Sequence, residues 1–135
     1  MTATIPIITA IYAAILGILG ALLTVNVIVN RVRAKVDSGD GGVPKLAQAI
    51  RAHANFAEQA PIALIVIAFA ESQGLRGLFV HILCLAILIA RLASAYALNR
   101  TLGQSPPRQF AASVNALALV LASVAVLLAV SGVSI

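Results

Sequence analysis

The 135-residue chain contains no tryptophan, one cysteine, one methionine and two tyrosines. Without tryptophan and with little tyrosine, the aromatic belts that usually mark membrane interfaces cannot locate them. A single cysteine, Cys84, excludes an intrachain disulfide, and its place in an apolar run identifies it as a buried, inert thiol rather than a nucleophile. Charge is equally scarce. Only 10% of residues are charged and four are acidic, whereas 61% are hydrophobic, with a mean hydropathy of +1.07. A soluble core of this size cannot hide so much aliphatic surface, so the chain is an integral membrane protein. Its nine basic residues are thinly spread and lack interleaved aromatics, so they read as topology signals and not as a nucleic-acid surface. The uncharged N-terminal segment lacks the positive start of a cleaved signal peptide.

What the sequence does contain is four long apolar segments. The first is predicted to run as a helix from Ile5 to Asn30, enough to span a hydrocarbon core that needs about 20 residues. "DSGDGGVPK", Asp37 to Lys45, breaks it as a polar loop with too few ligands for calcium. A second helix is predicted over Leu46 to Ser72 with a kink at Pro61, a third over Leu78 to Asn99 and a fourth over Gln109 to Ile135. A single all-α domain, 1–135, is expected, an integral membrane four-helix bundle. Arg31, Arg33, Lys35, Lys45 and Arg51 flank the first loop, and Arg100 and Arg108 the third, whereas the second has only Arg76. Loops one and three are therefore expected in the cytoplasm and both termini on the other side.

Against this background "IRAHANFAEQAPIAL", Ile50 to Leu64, is unexpectedly polar. At 1.5 Å per residue, Arg51 lies roughly 30 Å from Glu71, at the cytoplasmic boundary, with Asn55 and Glu58 deeper. Glu58 is about 20 Å from the far end and Arg91 of helix three about 22 Å, so the two are predicted to pair within the bundle or across a subunit interface. Spacings of four and three put Arg51, Asn55 and Glu58 on one face of helix two, a ladder suited to a zwitterionic peptide-like ligand. Helix stapling is the competing account of that ladder. His53 and His81, each without a second imidazole nearby, read as packing or interfacial residues and not metal ligands, and no metal site is predicted. Asn26 and Asn30, one turn apart, are expected to bond a neighbouring helix.

The pattern Arg51, Asn55, Glu58, Pro61 resembles the helix-two signature of the MAPEG family, the membrane-associated proteins in eicosanoid and glutathione metabolism. "GDGG" before it and "HILCLAILIARLASAYALNR" after it resemble the small bacterial branch. The resemblance implies a homotrimer of four-helix subunits in a bacterial inner membrane, in contact with lipid, with glutathione bound between neighbouring subunits near the cytoplasmic face. It assigns Arg51, Asn55 and Glu58 to glutathione binding, with Arg31 as a further contact and Arg91 as the arginine of the helix-three pattern. Arg108, in "SPPRQ", resembles the arginine that stabilises the glutathione thiolate for attack on hydrophobic small-molecule electrophiles. Arg100 and Arg108 as ordinary positive-inside anchors remain the alternative.

The sequence departs from active relatives at three positions. Gln59 stands in place of a tyrosine, and Ser94 and Leu98 replace two more. Tyr96 is displaced by two residues, about 200° around the helix. Two readings follow: a glutathione transferase or peroxidase with Arg108 as its catalytic residue and Tyr96 near the substrate, or a non-catalytic trimeric membrane protein that binds a lipid, glutathione or a protein partner. Small drug exporters, which resemble one another in an essential helix-one carboxylate, are a poor fit because helix one here has no acid.

Overall fold

A computed structural model describes residues 5–132. It contains four helices, α1 (Ile7–Ala34), α2 (Pro44–Ser72), α3 (Gly77–Leu98) and α4 (Pro106–Val130), each long and apolar enough to cross a membrane. The ends differ from the sequence expectation for identifiable reasons. Residues Arg31 and Arg33 extend α1 by a turn, where cations favour the negative end of the helix dipole, and Lys35 closes it in the left-handed conformation at φ 55°. Prolines open α2 and α4, because a first-turn residue needs no N–H donor. The expected kink residue Pro61 stays within the continuous α2 helix. The fourth helix ends at Val130, short of its expected course, with Gly132 at φ 83° in the turn that follows, and residues 133–135 lie outside the described residues.

α2 and α3 form the middle of the bundle: each touches the other three helices, whereas α1 and α4 do not touch among the described residues. Leu16, Ile67, Val80, Cys84 and Ile87 make the main core. Much of the remaining buried surface is alanine, including Ala52, Ala60, Ala63, Ala90 and Ala122, which lets helices approach closely where lipid supplies no hydrophobic drive between them. Gly20 extends this logic on α1. A Cβ there would stand 2.8 Å from Cε1 of Phe56, so the missing side chain makes room for an aromatic ring of α2.

Polar locks hold the two ends. At one end Asn26 donates to the Asn99 side chain at 2.9 Å, as expected for an interhelical partner, Asn30 donates back to Asn26, and Gln48 donates to the carbonyl of Arg100. Loops one and three therefore meet at the same end. At the other, α1 has no capping side chain of its own. Glu71 of α2 supplies it: its carboxylate accepts the backbone N–H groups of Ile8 and Thr9, both at 2.8 Å, and the Thr9 hydroxyl at 2.6 Å. A buried anion at a helix N-terminus satisfies orphan donors and the helix dipole together. Nearby, His81 packs edge-on against Tyr12 with ring centroids 5.9 Å apart, and its Nδ1 lies 3.3 Å from the Tyr12 hydroxyl, within hydrogen-bond distance.

Candidate functional site

The polar face of α2 divides. Arg51 and Glu58 are seven residues apart, within about 20° around a helix, whereas Asn55 is rotated about 40° and 60° from them. That rotation turns Asn55 toward α3, where its side-chain oxygen accepts from Arg91 Nη1 at 3.0 Å and Ser94 Oγ at 2.7 Å. Glu58 instead accepts from Arg51 Nη1 at 3.1 Å, with both side chains about half exposed, at 51% and 43%. Within the subunit the expected Glu58–Arg91 pair is therefore replaced by two others: the acid goes to the boundary arginine and Arg91 to a neutral carboxamide.

The consequence is a positively charged interior. Arg91 is only 3% exposed, and Asn115 of α4, also 3% exposed, donates to the Gln59 side chain at 2.7 Å. Around these groups lies a cleft of about 390 Å³ between α2, α3 and α4. Its polar lining comprises Asn55, Gln59, Arg91, Ser94, Arg108 and Asn115, and Ala116 and Leu119 supply apolar wall. Two arginines and no acidic residue line this space, so in a low-dielectric setting it attracts anions and electron-rich atoms. Arg91 Nε and Asn115 Oδ1, buried atoms of two lining residues, have no hydrogen-bond partner among the described residues.

The predicted residues thus fall into separate places. Asn55, Arg91 and Arg108 converge on the cleft, and Arg108 also anchors loop three by donating to the carbonyls of Leu102 at 2.9 Å and Gly103 at 3.3 Å. Arg31 and Arg51 line a second cavity of about 450 Å³ with Asp40 and Leu102, and Arg31 donates to the Gly39 carbonyl at 2.8 Å. Tyr96 lines neither cavity. It stacks under Arg100, whose guanidinium carbon lies 4.4 Å from the ring centroid, at 55% exposure. Sequence reasoning missed Asn115 and the bonding role of Ser94. The available signal was spacing: Asn115 follows Arg108 by seven residues, which places both on one face of α4.

Comparison with known proteins agrees with the architecture. The model of the MAPEG family matches residues 9–128. The chain is 34% identical over 95 residues to inner membrane protein YecN of Escherichia coli strain K12, a match covering 70% of this chain and 72% of that protein. The YecN protein of a second Escherichia coli strain matches with the same identity and coverage. With four membrane-length helices, the signature Arg51, Asn55, Glu58 and Pro61 on α2, and a family match across nearly the whole bundle, this chain belongs to the MAPEG family.

Proposed function

We propose that the protein binds glutathione at this end of the bundle and joins it through its sulfur to hydrophobic electrophiles, as a glutathione transferase or peroxidase-like enzyme of the MAPEG type. The observation that carries the reading is the convergence of Asn55, Arg91 and Arg108, from three helices, on one cleft with two positive charges and no negative one. A free thiol, with a pKa near 8.5, is mostly protonated at neutral pH. A fixed guanidinium such as Arg108 favours the thiolate, releasing the proton to water, and the sulfur then forms its bond to the electrophilic carbon of a substrate arriving from the bilayer as that carbon expels a leaving group with its electron pair or, in an activated alkene, passes the π pair to the conjugated acceptor, which takes a proton from water. Arg51 and Glu58 bind each other across an exposed surface, and a zwitterionic peptide can exchange that pair for its own carboxylate and ammonium without leaving a charge unmatched. Arg31, lining the cavity beside Arg51, is a further carboxylate contact.

The same exposed pair supports assembly. Charges on a membrane-spanning helix avoid lipid, and a second subunit covers them, consistent with the homotrimer implied by the family. The positive residues around loops one and three, and the relatives' designation as inner membrane proteins, support an inner-membrane location with those loops in the cytoplasm.

A second reading has its own support. Leu98, where active relatives carry a tyrosine, is fully buried, and the Arg108 guanidinium already engages two loop carbonyls. A non-catalytic membrane protein that binds lipid, glutathione or a protein partner accommodates both facts. Calorimetric titration of the detergent-purified protein with reduced glutathione, beside an Arg51→Ala, Glu58→Ala variant, tests binding. Saturable heat in the wild type that the variant loses supports the site, and no saturation at millimolar glutathione refutes it. Arg108→Ala should then abolish thiol consumption with an electrophile while sparing most glutathione binding. Unchanged turnover would remove Arg108 from the mechanism.

A further inference from the structure

One exposed stripe runs the length of α3. Leu78, Ile82, Leu85, Ile89, Leu92 and Tyr96 follow one another at spacings of four and three, so they share a face, and each is about half exposed. No charged residue interrupts the stripe. At 22 residues α3 is about 33 Å long, which matches a hydrocarbon core of about 30 Å. Its aliphatic face therefore lies against acyl chains, and Arg100, just past its loop-three end, stands at headgroup level with Tyr96 one turn below.

Arg100 is exposed, yet its backbone is held. Its carbonyl accepts from Gln48 of α2 at 3.1 Å, its amide donates to the Ala97 carbonyl at 3.1 Å, and the preceding Asn99 accepts from Asn26 of α1 at 2.9 Å. Contacts from α1 and α2 thus fix the point from which the side chain leaves. The guanidinium carbon lies over the Tyr96 ring, 4.4 Å from its centroid, and the side chain makes no hydrogen bond or ion pair among the described residues. A cation–π contact engages the charge and not the N–H donors, of which a guanidinium has five. The result is an oriented cation whose donors are unmet within the protein.

We propose that Arg100 and Tyr96 form a headgroup site for an anionic glycerophospholipid, whose phosphate accepts from the guanidinium and whose acyl chains lie along the α3 stripe. Two phosphate oxygens fit the planar fork of arginine, and Tyr96 steadies that fork at the level where phosphates lie. A lipid rather than a free phosphoester is the occupant, because the cation closes an apolar stripe of membrane length. Arg33 of α1 is exposed at the same end but has no ring against it among the described residues, so general attraction to a negative surface treats the two arginines alike and the proposed site does not. The site is independent of the glutathione reading.

The test is native mass spectrometry of the full-length protein in detergent, titrated with palmitoyl-oleoyl phosphatidylglycerol and, separately, with phosphatidylcholine of the same chains. The wild type is expected to bind the anionic lipid at least about fivefold more tightly, the order set by one basic residue at an anionic surface. Arg100→Leu should weaken phosphatidylglycerol binding at least about fivefold, and Arg100→Lys, which keeps the charge but not the fork, about threefold. Tyr96→Leu should weaken it about threefold, whereas Tyr96→Phe keeps the ring and Arg33→Leu spares the site, so each should stay within about twofold. Arg100 and Tyr96 are exposed, so the variants are expected to fold, which circular dichroism checks. Equal losses in Arg100→Leu and Arg33→Leu would mean diffuse attraction and overturn the site, as would a wild type without preference for phosphatidylglycerol. Wild-type affinity in Tyr96→Leu would overturn the stacked arrangement. Displacement of bound lipid by millimolar glycerol phosphate would make a free phosphoester the ligand and overturn the lipid.

Discussion

Replacing Glu71 by alanine should destabilise the bundle far more than the loss of one acidic residue from an exposed helix end. The carboxylate is 8% exposed and accepts at least three hydrogen bonds from α1, two from backbone N–H groups that have no other cap. Hydrogen bonds to a charged acceptor contribute about 1.5–3 kcal/mol each, and the three are not additive because they share one group. Removing one side of a buried charged network generally costs about 3–5 kcal/mol, and we expect Glu71→Ala to fall in that range. Glu71→Gln keeps an acceptor but loses the charge that complements the helix dipole, so about 1–2 kcal/mol is expected. The assay is reversible unfolding in mixed micelles of increasing SDS fraction, followed by far-ultraviolet circular dichroism. Amide exchange at residues 8 and 9 gives the local readout, and both amides should exchange faster in each variant. Glu71→Ala within about 0.5 kcal/mol of wild type, with exchange unchanged, would refute capping across helices as a source of stability.

Other consequences follow from the same geometry. Asn55→Leu leaves Arg91 Nη1 and Ser94 Oγ without their shared side-chain acceptor and should cost about 3–5 kcal/mol by the same titration, whereas Asn55→Asp retains an acceptor and should be tolerated. Gly20→Ala should cost about 1–3 kcal/mol through the Phe56 ring, and Phe56→Leu in the same chain should recover at least half of it; no recovery would place the strain elsewhere. A double-mutant cycle on Asn26→Leu and Asn99→Leu should give a coupling of about 0.6 kcal/mol, the average for such bonds in membranes, and zero coupling would show that the contact contributes nothing.

The helices were legible in the sequence because each apolar run exceeds the length a bilayer demands and ends in prolines, glycines or charges. The site was legible only in part. A spacing of four and three says that Arg51, Asn55 and Glu58 share a broad face, but that face covers about 60°, and within it Asn55 points to α3 while the two charges find each other. Depth alone matched Glu58 to Arg91; side-chain direction separated them. Asn115 carried no partner in its own neighbourhood, since Gln59 lies 56 positions away. Glu71 marks depth in the sequence and proves to be a structural cap, because its donors lie 63 and 62 positions earlier in the chain. Interactions between distant segments are what periodicity cannot supply.

The partition of acids explains the character of the cleft. Among the four acidic residues, Asp37 and Asp40 belong to loop one, Glu71 closes α1, and Glu58 is held by Arg51 at the edge of the bundle. None remains for Arg91, which is buried on α3 with a neutral amide as its partner. A protein selected for bundle stability alone would pair Arg91 with Glu58, since a buried guanidinium without an anion is costly. Directing Glu58 outward instead keeps the interior positive and leaves a half-exposed ion pair on the surface of α2, apart from the cleft. A positive cleft of this kind favours anions and electron-rich atoms, and that is the feature on which the proposed glutathione reading depends.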